Sequence, residues 1–480
     1  MQNDRINRIL GHVVFGVLLV FAVVWAYARV FYIDSAYQLF DIINTGTFSV
    51  NDGRYAMVIS QLLPLLCLKL HLPLPVIAVA YSLSFVLLAY ICYLLVQYVL
   101  KDGRTALAML CVFLCMRQTF MHCISETFQL MFFAFLLYAL VACRRIRSSV
   151  FSRAAYLLSL LAVSACCVFI HPVALFFLAF ILLYVWIDEG FHLRWELLFF
   201  SGISILLVAL KFTMPSAGGH DATFLLPLPE LLAKLPDILH FGSLKFFVEH
   251  FFDFYYFPVL CFFWTSVDYI RHRKVWKALF YIGFNLCFFF ITLWIYYAGD
   301  GPIGMERSFL PLVFFTGLPF VREVLPECRP RTCRMVSIVL VLLLVHSFVR
   351  IGMKAEDYEQ RLQRMDQILS EAREQGVYKV FVEKELSEAL GIGYNWGAGI
   401  ESLMYSSVMH GRENCGNLFV YDRLEELKIY EFTTTDRYAF VPWWIYLKLS
   451  DINTEYFPLK ESPFYLLRVI GGRLVFEQAK

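Results

Sequence analysis

Long apolar runs separated by short polar segments decide what this chain can fold into. A helix needs about 20 apolar residues to cross a bilayer, and somewhat fewer when neighbouring helices shelter its ends. Such runs occur at residues 9–32, 76–100, 105–116, 127–143, 154–170, 173–187, 195–212, 254–270, 275–298, 308–321 and 335–351. Because 60% of the residues are hydrophobic and only 17% are charged, a soluble domain could not bury them all. The sequence predicts a polytopic α-helical membrane protein with about 11 transmembrane helices.

The positions of Lys and Arg predict how these spans are oriented. Cytoplasmic loops of membrane proteins carry an excess of both residues, and alternate loops of this chain do so. The clusters are Arg5 and Arg8; Lys101 and Arg104; Arg144, Arg145, Arg147 and Arg153; Arg194; Arg271, Arg273 and Lys274; and Arg322, Arg329, Arg331 and Arg334. The first run is too long for a signal-peptide core. We therefore expect a multi-pass protein of the inner (cytoplasmic) membrane with a cytoplasmic N-terminus.

The composition changes abruptly after residue 351 and divides the chain into two predicted domains. Residues 356–375 are charged and favour a helix, whereas residues 377–383 are rich in β-branched and aromatic side chains. The prediction is a transmembrane domain at 1–351 and an extracytoplasmic soluble α/β or α+β domain at 352–480. Outer loops at 32–75 and 213–253 would enclose a cavity. Within the first loop, residues 56–72 are interpreted as an interfacial or re-entrant helix, because a span there would invert the charge pattern.

Polar residues directly after the first span form one candidate site. Asp34, Tyr37, Gln38 and Asp41 follow the spacing i, i+3, i+4, i+7, which places them on one face of a short helix that ends near Gly46. Asp34 lies nearest the membrane, where partial desolvation favours its protonated form and suits it to act as a general base. A solvated helix face or a helix cap explains the same pattern equally well.

Further ionisable residues fall in the other predicted outer segments. They are Asp52, Arg54, Arg117, Glu126, His171, His220, Asp221, Glu306 and Arg307. Glu126 marks a polar cavity, caps a helix or pairs with Arg117. Arg307 needs an anion at the membrane boundary, which is either a carboxylate (Glu306 or Glu126) or a phosphate, since a guanidinium binds phosphate in a bidentate manner.

Several classes of function find no support in the sequence. The net charge of +2 gives no basic field for nucleic acid, so no nucleic-acid partner is expected. No explicit metal-ligand cluster occurs, and most cysteines lie within apolar runs, where a thiol behaves as a small hydrophobe. His171 alone is more often a hydrogen-bonded structural histidine than a catalytic one.

Three local patterns resemble the GT-C superfamily of membrane glycosyltransferases. Asp34, followed by Gly46 and Arg54, is similar to the first outer loop of that family with its catalytic aspartate. The Arg-aromatic-Leu-Pro motif that opens a late span in many relatives is similar to Arg307, Ser308, Phe309, Leu310 and Pro311, with Ser in place of the usual Tyr. Glu126 and the pair His171-Pro172 fall where relatives often have a Glu and a Lys-Pro or His-Pro. The likeness covers residues 1–351.

The resemblance implies a GT-C-like fold and an inverting transfer of a sugar from a polyprenyl-phosphate-linked donor to a glycan, lipid or protein acceptor. Asp34 would take the acceptor proton, and Arg307, with Arg54 or His171, would stabilise the departing phosphate. The family often has an acidic pair at the first span, so Asp41, Asp52 or Glu126 would supply the second carboxylate. Arg117, His220, Asp221 and Glu306 would be further cavity residues. Members differ in their use of a divalent metal ion, and no other cofactor is implied.

Two other classes of protein remain open from the residues alone. One is a lipid-linked-sugar flippase or another polytopic carrier, in which internal repeats and polar sites near the bilayer midplane are common. The sequence shows no internal repeat, and its charges lie at one face. The other is a non-catalytic membrane scaffold or sensor whose outer domain binds a partner.

Overall fold

The fold is mainly helical, because a backbone in lipid must satisfy its own hydrogen bonds. The computed structural model describes residues 2–142, 150–192, 194–214, 228–299, 301–411, 414–423, 435–441 and 446–478. The helices before the C-terminal sheet are α1 (Gln2–Val24), α2 (Ala26–Val30), α3 (Ile33–Thr45), α4 (Val58–Lys69), α5 (Leu74–Leu94), α6 (Gly103–Leu110), α7 (Gln118–Met121), α8 (Glu126–Ala142), α9 (Val150–Ile170), α10 (Ala174–Asp188), α11 (Trp195–Thr213), α12 (Leu228–Lys234), α13 (Gly242–Glu249), α14 (Tyr256–Arg271), α15 (Val275–Ile295), α16 (Pro302–Phe309), α17 (Leu325–Glu327) and α18 (Pro330–Glu374).

Among the described residues, seven helices are long and apolar enough to cross a membrane, or up to eight if one bent pair counts as a span. The seven are Asn7–Val24, Leu74–Val99, Arg153–Ile170, Trp195–Thr213, Val275–Ile295, Pro302–Glu327 and Pro330–Glu374. The bent pair joins Leu232–Glu249 to Phe251–Arg271 at 55°. These helices support the predicted multi-pass architecture. Shorter apolar helices account for the rest of the predicted runs, so the count of about 11 spans stays a prediction.

Helix α8 lies at the centre of the membrane part. It packs against α5, α9 and α10, and every residue from Glu126 to Val141 is buried. A helix that is apolar all round belongs in a protein interior. The 17 residues of α8 are therefore enclosed by neighbouring helices, and its N-terminus places Glu126 inside the protein.

The last span continues without a break into the charged helix that follows it in sequence. The sequence suggests an apolar run at 335–351 and a separate charged helix at 356–375, but α18 unites both in 45 residues. At 1.5 Å per residue this helix is about 68 Å long, more than twice the thickness of a bilayer core. The predicted domain boundary at residue 351 therefore falls inside a helix.

The C-terminal domain contains a mixed sheet beside α18. Its elements are β1 (Lys379–Glu383), α19 (Lys384–Ala389), α20 (Ala398–His410), β2 (Asn417–Tyr421), β3 (Tyr438–Phe440), β4 (Tyr446–Lys448), β5 (Phe464–Ile470) and β6 (Arg473–Gln478). The four-stranded sheet has the order β2-β1-β5-β6, in which β1 runs parallel to β2 and β5 while β6 is antiparallel to β5. Strands β3 and β4 form a separate antiparallel pair. Both helices and strands are present, as the sequence predicts.

Helix α3 is held between the membrane helices and the C-terminal domain. At its start, the backbone N–H of Ile33 donates to Glu401 Oε1 at 2.7 Å, and Glu401 also pairs with Arg361 of α18 at 2.5 Å. At its end, Asn44 Oδ1 accepts the backbone N–H of Asn453 at 2.7 Å. The segment that follows the first predicted span is thus fixed by both parts of the chain.

Candidate functional site

Helix α3 carries the first group of candidate residues. It ends at Gly46, which has the left-handed φ of +67°, and this confirms the predicted helix end. Asp34, Tyr37 and Gln38 line a cavity. Asp41, one turn further along, lines none of the cavities described below. The predicted polar face is therefore divided, and only its first turn reaches the cavity.

The cavity into which Asp34 faces has a volume of about 730 Å³. Its charged and titratable lining includes Asp34, Asp52, Arg54, Glu126, His171 and Arg307. The opposite wall is apolar, with Phe176 from α10 and Phe288, Ile291 and Ile295 from α15. A cavity with a charged end and an apolar wall fits an amphipathic ligand with a charged head and a hydrocarbon chain.

Glu126 joins two arginines at the charged end of this cavity. Arg54 Nη1 pairs closely with Glu126 Oε1, and Arg307 Nη1 lies 3.7 Å from Glu126 Oε2. Glu126 begins α8, where the helix dipole also favours a negative charge. The two guanidinium groups thus lie side by side at one carboxylate, and guanidinium groups are suited to bind phosphate or carboxylate oxygens.

Glu306 and Arg117 lie apart from this charged end. Glu306 is 1% exposed and accepts the backbone N–H groups of Arg117, Gln118 and Thr119 at 2.7, 3.1 and 2.9 Å. Arg117 Nη2 is 3.5 Å from Asp253 Oδ2. The carboxylate beside Arg307 is therefore that of Glu126 rather than Glu306, and the acidic partner of Arg117 is Asp253 rather than Glu126.

Not all of the predicted residues can be placed. His220 and Asp221, which the sequence suggests as cavity residues, lie outside the described residues. The structure brings Asp34, Asp52, Arg54, Glu126, His171 and Arg307 together around one cavity. It does not bring Asp41, Arg117 or Glu306 to that cavity.

A second cavity of about 530 Å³ adjoins the first. Asp34, Gly304, Arg307 and Trp396 line both cavities. The second cavity extends toward α18, where its lining includes Lys354, Asp357, Tyr358 and Arg361, and it also includes Tyr32 and His122. Asp34 and Arg307 therefore lie where two separate spaces meet.

Trp396, which belongs to the C-terminal domain, lines both cavities. It precedes Gly397, where an added Cβ would lie 3.0 Å from the Cα of Ile33 and 2.9 Å from Glu401 Oε1. Such contacts are too short for any side chain, so glycine lets this loop approach α3 closely. The indole ring is 6.0 Å from the ring of Tyr37. No local signal in the sequence connects Trp396 with Asp34.

The described residues contain one group of three side chains that could hold a metal ion. The ligand atoms of Asp268, His272 and Glu327 lie within 4.8 Å of one another, at the C-terminal end of α14 and away from Asp34. Lys274 Nζ already lies 3.3 Å from Glu327 and 4.0 Å from Asp268. The lysine supplies positive charge to both carboxylates, and the use of a divalent ion in this protein stays a prediction.

Comparisons with known proteins identify no relative of this chain. No protein-family profile, curated protein or solved structure matches the chain. The resemblance to GT-C glycosyltransferases therefore stays a prediction from the residues quoted above. The function must be argued from the geometry of the two cavities.

Proposed function

We propose that this protein is a membrane glycosyltransferase of the GT-C type. It would transfer a sugar, with inversion, from a polyprenyl-phosphate-linked donor to a glycan, lipid or protein acceptor at the extracytoplasmic face. The observation that supports this most directly is the meeting of two cavities at Asp34 and Arg307. A transfer reaction requires two substrates to meet beside a base and beside a group that stabilises the leaving group.

The first cavity would hold the lipid-linked donor. Its apolar wall of Phe176, Phe288 and Ile291 suits a polyprenyl chain. Little free energy is lost when such a chain moves from lipid to another apolar surface. Arg307 and Arg54 would bind the phosphate, because both guanidinium groups line this cavity beside Glu126. As the phosphate leaves with a full negative charge, these guanidinium groups would stabilise the transition state.

The second cavity would hold the acceptor, and Asp34 would act as the base. Asp34 would take the proton of the acceptor hydroxyl while that oxygen forms a bond to the anomeric carbon. The bond from this carbon to the phosphate oxygen breaks on the opposite side, which inverts the configuration. Trp396 and Tyr358 line this cavity and offer aromatic faces against which an acceptor ring can pack.

The membrane topology belongs to the same proposal. Three of the four shorter apolar helices, Gly103–Leu114, Glu126–Ala142 and Ala174–Asp188, coincide with predicted spans and would complete about 11 with their neighbours. Helix α4 would lie at the outer interface, because it exposes Leu62 and Leu66 one turn apart. The charge pattern would place the N-terminus in the cytoplasm and the C-terminal domain outside the inner membrane.

Transfer of radiolabelled sugar from a polyprenyl-phosphate donor tests the proposal. We expect Asp34→Asn to lose transfer by about 10²- to 10⁴-fold, the usual contribution of a general base. Asp41→Asn is the matched control, since it makes the same change on the same helix outside both cavities, and it should retain activity. Both variants are compared at equal expression and equal thermal stability.

Two outcomes would contradict the proposal. Equal activity of Asp34→Asn and the wild type would reject Asp34 as the base. Absence of transfer by the wild type with all polyprenyl-phosphate sugars, together with transbilayer movement of a labelled donor in proteoliposomes, would establish a carrier instead.

A further inference from the structure

We propose that His122 is a positioning residue that orients the carboxylate of Asp34 by donating its Nε2–H to Oδ2. His122 lies between α7 and α8, outside the helices that could cross the membrane, and no motif or spacing in the sequence points to it. Its Nε2 lies 3.5 Å from Asp34 Oδ2, at the long end of hydrogen-bonding range. Such contacts often tighten only when substrate binds. A catalytic role for this contact rests on the proposed function. The distance between the two side chains is independent of that function.

The tautomer of His122 follows from its surroundings. The side chain is 2% exposed, and its Nδ1 has no hydrogen-bond partner among the described residues. A proton on Nδ1 would bury an unsatisfied N–H group and would leave the lone pair of Nε2 facing a carboxylate oxygen. A proton on Nε2 avoids both costs. The geometry therefore favours the Nε2–H form.

The charge of His122 follows from the same surroundings. Burial, with a smaller contribution from the Arg307 cation, lowers the pKa of His122 to about 3, while Glu126 acts in the opposite direction. The imidazole is therefore neutral at physiological pH. A neutral donor orients the carboxylate without the strong attraction of an imidazolium cation, which would hold Asp34 ionised and make it a weaker base.

Other titratable groups face this pair from the elements packed around it. They are Tyr32, Tyr81, Cys123, Glu126, Arg307, Lys354, Asp357, Tyr358 and Arg361. Lys354 lies 3.0 Å from Asp357, and Arg361 pairs with Glu401. The nearby cations Lys354 and Arg361 of α18 thus lie beside carboxylates of their own, and His122 is a neutral donor that faces Asp34.

The segment that carries His122 is fixed on several sides. Arg29, only 2% exposed, donates from Nε to the carbonyl oxygen of Phe120 at 2.9 Å. The backbone N–H of Ile124 donates to Ser35 Oγ at 3.3 Å, which connects the segment with α3 one residue after Asp34. Glu306 binds the backbone at the start of α7. A rigid support of this kind is what a positioning residue needs.

Selective ¹⁵N-histidine labelling of the full chain in detergent tests the contact without any substrate. The resonances of His122 are assigned by their loss in His122→Gln. We expect a neutral Nε2–H imidazole at every pH from 8 to 5. Protonation with a midpoint near 6.5, or a proton on Nδ1 across this range, would overturn the proposal.

The pH dependence of transfer tests the positioning role. Hydrogen bonds to a carboxylate favour its ionised form, so His122→Phe should move the acidic limb of the pH–rate profile up by about one pH unit. His122→Gln, whose amide can still donate, should restore much of this shift. His346→Phe, the same substitution at an exposed position of α18, should leave the profile unchanged.

The outcomes separate this inference from the proposed function. An active wild type whose acidic limb is the same in His122→Phe would reject the positioning role and leave the proposed function standing. A wild type without transfer activity would reject the proposed function, and the NMR experiment would still decide whether His122 is a neutral imidazole with its proton on Nε2.

Discussion

Glu306 and Arg307 are adjacent in the chain, and the side chains have separate partners. Successive side chains on a helix point about 100° apart, so Glu306 binds the backbone of residues 117–119 while Arg307 faces the cavities. Sequence spacing could identify both as polar residues at the membrane boundary. It could not determine which neighbouring segment each would contact.

We expect Glu306→Gln to destabilise the protein by about 1–3 kcal/mol, the usual cost of leaving buried polar groups unsatisfied. A carboxylate accepts the three backbone N–H groups with two oxygens, whereas an amide presents one oxygen and one NH₂ group that cannot accept. Thermal unfolding of the purified chain measures the change. Glu356→Gln, at an exposed position of α18, is the control, and an equal midpoint in both variants would contradict this role of Glu306.

Single residues of the candidate site are easiest to predict where the membrane topology limits which ionisable side chains can lie at one face. The predicted topology places five ionisable residues at the same face, and all five line one cavity: Asp34, Arg54, Glu126, His171 and Arg307. The sequence contains no pattern that points to His122 or Trp396. Their contact with the site depends on how separate segments pack, and an isolated sequence has no periodicity or spacing that reports such packing.

Strand β1 contains a lysine where the strand pattern favours an apolar residue. Lys379 is completely buried, and its Nζ donates to the carbonyl oxygen of Asp436 at 2.5 Å. Burial lowers the pKa of Lys379 to about 8, against the opposing effect of Asp436 and Glu461. The unfolded chain therefore binds this proton more tightly than the folded chain does.

The sign of the resulting pH effect is fixed by linkage. Between pH 8 and about 10.4, the unfolded state holds more protons at this position, so folding is stabilised as the pH rises. We expect Lys379→Met to remove this contribution and to flatten the unfolding midpoint across pH 8–10 relative to wild type. Lys460→Met, at an exposed position, should leave the slope unchanged. The same slope in Lys379→Met as in wild type would contradict the assignment.

The sequence predicts helices well where apolar runs are long, and less well where the composition changes inside one helix. The boundary placed after residue 351 follows a real change from apolar to charged residues. No proline interrupts α18 there, and one glycine, Gly352, costs a helix only about 1 kcal/mol. The N-terminal half of α18 is apolar and suits lipid, and its C-terminal half is charged and suits water. The backbone hydrogen bonding continues without a break between the two halves.

The whole molecule is joined by contacts between α3 and the C-terminal domain. Asn44 Nδ2 donates to the carbonyl oxygen of Asp451 at 3.0 Å, and its Oδ1 accepts the backbone N–H of Asn453. The rings of Phe40 and Phe457 lie 5.3 Å apart beside them. This docking holds the domain that supplies Trp396 next to the helix that supplies Asp34.

We expect Asn44→Ala to loosen this docking, because it leaves a backbone N–H and a carbonyl group of the C-terminal domain without their partners. Hydrogen–deuterium exchange should become faster in residues 449–457 and at the end of α3, with little change in the sheet. Asn414→Ala, an exposed change elsewhere in the domain, is the control. Unchanged exchange in Asn44→Ala would show that other contacts are sufficient.

The continuous helix α18 has a mechanical consequence. About half of its length of roughly 68 Å extends beyond a bilayer core of about 30 Å, and its outer half carries Tyr358 and Arg361 beside the second cavity. A rigid rod magnifies rotation with distance, so a tilt of a few degrees within the lipid displaces its far end by several ångströms. A change in the tilt of α18 within the bilayer would therefore change the width of the second cavity.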